Sequence, residues 1–408
     1  MKRWLELITG VLAVVLCGVT PARAETFCIP KGNITNHADA AIQGSIAWHF
    51  AQYGAEHTYV LVTQVDYANP GQTIYTVDST LTIPASATLT TGRWQARLAP
   101  QPPACVVDLQ RTVQLRATSG LDDRQMIEAD NYSTLENLDL HGNDTAGVIV
   151  RGMHKIGITI SRCTIHDTKN DYTSELIGGA YHPRPHLVYL DSCSHATLTG
   201  STFRRAGCEP KLNATQWIGG SAAIYAPDNE MLRVESNDIA STLSAGIDFT
   251  GTVRAVISGN VIQKIGLNAL SPDCVHPSCA GMPPTSDAIA DGITAYHNLN
   301  GFTYQDIVVR QNHIFDYHNH GIHLSGRDVY VEDNYVHDGK QNAIRIADQR
   351  SPADCASHFF IRNNTVNPGS VNPSAILVDN YKPGAFAIFG NTSNGSLVNA
   401  TFGSNTCL

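Results

Sequence analysis

Six times in its second half the chain passes through a short β-branched stretch and stops on asparagine. The copies are LRVESN to Asn237, AVISGN to Asn260, IVVRQN to Asn312, VYVEDN to Asn334, FFIRNN to Asn364 and FAIFGN to Asn391. Two earlier stretches, ITISRC and ATLTGS, keep the run but not the Asn. One or two apolar residues follow each Asn, as in HIFD or YVHD. A variable loop comes next, then Gly or Ala, an Ile, any residue and another apolar one: GIDF, GITA, GIHL, AIRI, AILV. The shortest spacings are 260 − 237 = 23 and 334 − 312 = 22 residues, whereas 312 − 260 = 52 leaves room for an insertion. Repeats of this length, with short strands and no helix of ordinary length, mark a solenoid whose coils bury their apolar faces on one another. A stacked Asn can hydrogen-bond the Asn above and below and satisfy the amides of a sharp corner. A β-sandwich is the competing architecture, but it has no reason to return Asn to one corner. The expected fold class is all-β.

Alternation then sets side-chain direction. In G-I-x-L the Ile and Leu point inward and the residue between them points out. Stacking the coils makes one outward column of Tyr189, Tyr225, Asp248, Thr294, His323, Arg345 and Leu377. Coils lie about 4.8 Å apart, so Asp248 to Arg345 spans about 14 Å, the length of several sugar units. The positions before the Gly make a second column of Ala245, Asp291, His320, Asn342 and Ser374. Loops add Asp287, His297, His318 and Lys340, with His318 expected at the edge. These are read as solvent-facing positions, where substitution costs little stability. Tunable acid–base groups beside a cation on one surface are what a working site gathers. The competing reading is a solvated ion-pair ladder. His166-Asp167 and His337-Asp338, in HDT and HDG, are read as occupants of one recurring turn, and these with His182 and His186 as solvated or locally hydrogen-bonded.

The coil pattern resembles the right-handed parallel β-helix of the pectate-lyase-like superfamily over about residues 120–405. Residues 25–118 differ: DAAIQGSIAWHFAQYG reads as a short amphipathic helix capping an open end, and VDSTLTIPASATLTT and VVDLQRTVQLRATSG as first coils. The helix proper is then 119–408. A narrower resemblance is to the polygalacturonase branch, which carries NTD, DD, GHG and RIK on successive coils. NHGIHLSG is similar to the GHG coil, with His320 at its histidine; AIRIAD resembles the RIK coil, with Arg345 at its arginine and Ala347 in place of the lysine. ADGITA offers Asp291 before its strand, while LSAGIDF lacks NTD and no DD pair is present.

The chain opens on Lys2 and Arg3, an apolar run, and Ala22-Arg23-Ala24. That is the form of a secretory signal peptide over residues 1–24, cleaved to leave Glu25 first, with export to the periplasm or outside the cell. A membrane anchor is the competing reading, but the run is short, and no later stretch approaches the ~20 apolar residues of a span. Of ten cysteines nine follow Cys17, and an odd count leaves at least one unpaired. Candidate pairs are Cys274 with Cys279, Cys28 with Cys105 and Cys355 with Cys407. No C-x-x-C spacing points to structural zinc. The net charge of −9 argues against nucleic acid.

Three functions fit, all with a polysaccharide partner. A uronate lyase or epimerase removes a C5 proton: His320 or His323 is the base, Arg345 clamps the carboxylate, and Tyr225 or Asp291 is the acid. Tyr189, Tyr225, Asp248, Thr294, His297 and Lys340 would line the substrate path. The superfamily resemblance allows calcium at Asp248, Asp287 and Asp291, without a dedicated loop motif. An inverting hydrolase needs two carboxyls about 6.5–9.5 Å apart, with Asp291 as one and Asp287 or Asp248 as the other. A binding or adhesin module would instead stack tyrosines on pyranose faces.

Overall fold

The computed structural model describes residues 24–63, 73–95, 104–121, 124–169, 185–207, 221–242, 244–266, 290–295, 306–347, 357–367, 374–379, 381, 386–403 and 405. Its strands form three long sheets of 13, 12 and 11 members, and successive coils visit them in turn. One coil shows the order: Ile307–Arg310 lies in the first sheet, His313–Tyr317 in the second and Ile322–Leu324 in the third. Pairing is parallel throughout, except where Thr88–Gln95 meets Ala104–Val107 and where Thr392–Ser393 meets Ser396–Leu397. This is an all-β parallel solenoid. Its centre is a continuous apolar column in which Ile247, Ile293, Ile322, Ile344 and Ile376 are fully buried and in register.

The corner between the first and second sheets explains the repeated Asn. Asn237, Asn260, Asn312, Asn334, Asn364 and Asn391 form one buried ladder. Each Nδ2 donates to the next Oδ1 at 2.9 or 3.0 Å. Each backbone N donates to the same oxygen at 3.0 Å. The residue before every ladder Asn (Ser236, Gly259, Gln311, Asp333, Asn363, Gly390) has positive φ. A left-handed residue costs about 1–2 kcal/mol when it carries a Cβ, and the ladder's bonds offset that cost in each coil. The Asn-less copies keep the corner: Ser201 Oγ accepts from Cys163 N at 3.1 Å, and Ser201 N donates to Asn237 Oδ1 at 2.9 Å.

A second constraint fixes the Gly of G-I-x-L. A Cβ on Gly292 would lie 2.5 Å from Ile314 Cγ2 and 2.6 Å from Gly321 O. The second and third sheets come too close there for any side chain. That close approach holds Asp291 and His320, one residue earlier, in fixed positions.

At the N-terminal end the helix is Ile46–Tyr53. Ser45 caps it, its Oγ accepting from Trp48 N at 3.0 Å, and Ile46 and Phe50 face the core. Leu81–Ile83, Thr88–Gln95 and Val113–Ala117 pair in parallel with later strands, whereas Ala104–Val107 folds back antiparallel as a hairpin. Cys105 on that hairpin is disulfide-bonded to Cys28 of the first strand. Cys163 and Cys193 are buried thiols. Cys274, Cys279, Cys355, Cys407, His182 and residues 1–23 lie outside the described residues. No helix among the described residues is long and apolar enough to cross a membrane.

Candidate active site on the third sheet

The outward column of the third sheet has the register expected from alternation: Tyr189, Tyr225, Asp248, Thr294, His323, Arg345 and Leu377 pair in succession. The second column is also in order, since Gly246 N bonds Asp291 O, Gly292 N bonds His320 O and Gly321 N bonds Asn342 O. The two columns meet at Asp291, His320, His323 and Arg345. The column also extends upstream through Glu128 and Arg151, which the coil pattern alone did not reach.

Exposure differs from expectation. Asp291 and Thr294 have no accessible surface, and His320 and His323 are each only 3% exposed. His318, expected at the rim, is buried too. The cluster is a floor below the surface, and the reason is visible in its bonds. Asp291 Oδ1 accepts from Asn319 Nδ2 at 2.8 Å and from His320 N at 2.9 Å, while Oδ2 faces His323 Nδ1 at 3.3 Å. A carboxylate satisfied this way can stay inside. Burial pushes its pKa up, but the His323 hydrogen bond and the His323 and His320 charges outweigh that and hold it below the usual range. Asp291 is therefore ionised near neutrality, which removes it as the proton-donating acid. Its place is that of a carboxylate orienting an imidazole.

His320 Nε2 lies 3.2 Å from Arg345 Nη1. The guanidinium only donates, so this nitrogen accepts and the ring is neutral. Burial brings the His320 pKa down to about 3; Asp291 opposes this, and His323 and Arg345 add to the fall. Arg345 Nη2 also lies 3.4 Å from Asp379 Oδ2. Asp379 was readable from parity, since Leu377 and Asp379 point out where Ile376 and Val378 point in.

Several expected members stand apart. Tyr225 is three strand steps from His323, about 14 Å at the spacing of a sheet, too far to protonate an oxygen beside it. Tyr189 and Tyr225 stack on each other at 5.5 Å and 11°, with His186 4.7 Å from Tyr225. Asp248 is turned to its own strand end, accepting from Thr250 N at 3.0 Å and Thr250 Oγ1 at 2.7 Å. Among the described residues the group that converges at Asp291 is Asp291, His320 and His323, not Asp291 with Asp248, and imidazole nitrogen is a poor calcium donor. Lys340 bonds Tyr317 O through its backbone at 3.2 Å in the turn entering the sheet. Asp287 and His297 lie outside the described residues.

A family model described as right handed beta helix region matches residues 186–402, more than half of the 408 residues. The chain belongs to that family, and the solenoid is a right-handed one. No curated protein matches the sequence. Among solved structures, pectate lyase Pel9A is similar at 10% identity over 92% of this chain and 81% of that one, with a TM-score of 0.57. The A-module of the Azotobacter vinelandii mannuronan C-5 epimerase AlgE6 is similar at 13% identity over 92% and 97%, with a TM-score of 0.51. The Dettilon tailspike protein is similar at 13% identity over 92% and 68%, with a TM-score of 0.50. At such identities the likeness is one of fold. The narrower resemblance to polygalacturonase finds no support among these matches.

Proposed function

We propose that the third-sheet cluster removes the C5 proton of a uronate residue in a polysaccharide, as a lyase or epimerase does. The observation that carries this reading is the Asp291–His323 pair with Arg345 one coil away. Asp291 fixes the His323 tautomer and stabilises the imidazolium formed when the ring takes the proton. Arg345, held by His320 and Asp379, neutralises the substrate carboxylate as charge develops on it. In elimination the C5–H and C4–O bonds break, the C4=C5 double bond forms, and the His323 proton passes to the departing oxygen. In epimerisation C5 regains a proton from water on the opposite face, and His323 returns its proton to solvent. The folds shared with a pectate lyase and a mannuronan C-5 epimerase support the substrate class. Export, with cleavage after Ala24, belongs to the same reading, and the Cys28–Cys105 disulfide supports an oxidising compartment.

One observation favours a second reading. Burial of Asp291, Thr294, His320 and His323 suits a structural polar floor beneath a polysaccharide-binding module. A panel of uronate and neutral polysaccharides separates the two. Ultraviolet absorbance of an unsaturated uronate marks a lyase, and a changed C5 configuration by NMR marks an epimerase. New reducing ends without either sink the proposal in favour of hydrolysis. Binding without turnover selects the module.

A further inference from the structure

A different cluster lies on the second sheet, four strand spacings upstream of His313–Tyr317, about 19 Å along the axis. His141 and His166 are cross-strand neighbours there, and Asp167 follows at the turn. We propose that His141, His166 and Asp167 form a site for a divalent transition-metal ion of the zinc type.

One donor atom from each of His141, His166 and Asp167 lies within 4.8 Å of the other two. His141 Nε2 is 3.3 Å from Asp167 Oδ2. With ligand bonds of about 2.0–2.2 Å, neighbouring donors of a tetrahedral zinc ion stand about 3.3 Å apart. His166 Nδ1 is nearer, at 2.6 Å, because a hydrogen bond occupies the place where an ion would sit; that proton leaves as the ion enters. The rings stand nearly perpendicular, at 80° with centroids 4.5 Å apart, so their nitrogens converge on one oxygen instead of stacking.

The surroundings are those of a ligand histidine. His166 Nε2 lies 2.6 Å from Asp139 Oδ1, and Gln114 Nε2 donates to Asp139 Oδ2 at 3.0 Å. A carboxylate on the far nitrogen fixes the ring and raises its basicity toward a metal. Arg205 Nη2 stands 2.5 Å from Asp167 Oδ2 and 3.4 Å from His166 Nδ1, so the guanidinium keeps the carboxylate ionised and must swing aside as an ion enters. Two imidazoles and one carboxylate suit zinc and its neighbours, not calcium or magnesium, which take oxygen.

The test uses the full chain freed of metal by a chelator and titrated with Co²⁺, read by visible ligand-field absorption. One equivalent is expected to bind. Absorption should vanish in His141→Ala, weaken 10–100-fold in affinity in Asp139→Asn, and persist in His323→Ala. Zn²⁺ should displace the cobalt and raise the wild-type melting temperature but not that of His141→Ala. Zinc-edge X-ray absorption of the wild-type protein needs no variant: a shell containing two imidazoles is expected, and an all-oxygen shell overturns the site. No absorption and no melting shift at millimolar metal also overturns it. So does a signal lost in His323→Ala and kept in His141→Ala.

Discussion

The two histidine–carboxylate groups of this solenoid use the same residue types and reach opposite charge states. On the third sheet His320 has Arg345 against its ring and one carboxylate nearby, and burial takes its pKa down to about 3. On the second sheet His166 sits between two carboxylates. Burial lowers its pKa, but the hydrogen bonds to Asp139 and Asp167 outweigh it and bring it up to about 9. One ring is kept neutral and the other charged. Neighbour count decides this: burial lowers both rings, and only at His166 do two carboxylates outweigh it. A neutral His320 beside a carboxylate-oriented His323 suits proton transfer, whereas an imidazolium bridging two aspartates suits structural charge balance or, with that proton gone, a metal.

The largest expected contrast is in stability. Asp291→Ala strands Asn319, the His320 amide and His323 at a site with no access to water. Breaking a buried charged network of this kind costs about 3–5 kcal/mol. Asp167→Ala removes the partner of His166 and Arg205 but leaves both within reach of solvent, and is expected to cost about 1–3 kcal/mol. Chemical denaturation measures both. Equal losses would mean the two clusters are alike in kind.

Turnover should separate the clusters next. His323→Ala and Arg345→Ala are each expected to reduce rate by 10²-fold or more, the usual effect of losing a base or a charge clamp. His166→Ala should leave activity on the same polysaccharide within about twofold, because its cluster sits on another sheet, about 19 Å away along the axis. An unchanged rate in His323→Ala, with its fold intact, would move the working site elsewhere.

How far the sequence disclosed this contrast depends on which rule each residue obeys. Asn237 to Asn391 and the third-sheet column are periodic, so they were legible: period two and one recurring corner determine them. His166-Asp167 and His337-Asp338 do share one turn, as HDT and HDG implied, with Asp167 and Asp338 both at positive φ. Their energetics were not legible. Asp139, Gln114 and Arg205 come from separate coils and carry no local pattern. Depth was misjudged for a related reason. Alternation says that His323 points away from the core, but not what lies over it, and burial of Asp291 depends on Asn319 and His320 donating together.

The smallest and most discriminating contrast is in pH. His320 is lowered relative to an unfolded value of 6.5, so below pH 6.5 the unfolded chain takes up a proton that the folded chain refuses until about pH 3. Stability therefore falls on acidification by up to about 1.4 kcal/mol per pH unit. Asp291, whose carboxyl is held below its ordinary 3.8, adds to the loss only at the acid end, while His37, His49, His141 and His313, also lowered by burial, contribute between 6.5 and about 4, so the share of His320 is the difference between wild type and His320→Gln. His166 is raised, and its contribution runs the other way. It is fully present below 6.5 and is lost as pH climbs to about 9, again by up to about 1.4 kcal/mol per unit. The groups facing His166 are Asp139, Asp167, His141 and Arg205; the Asp167 carboxyl and the His141 imidazole are both held below their ordinary values, away from that interval. Urea midpoints for wild type, His320→Gln and His166→Gln between pH 4 and 9 give the answer. His320→Gln should flatten the acid limb and leave the alkaline limb, and His166→Gln should do the reverse. Parallel curves for both variants would show that the two histidines share one protonation state, and the distinction between the clusters would fall.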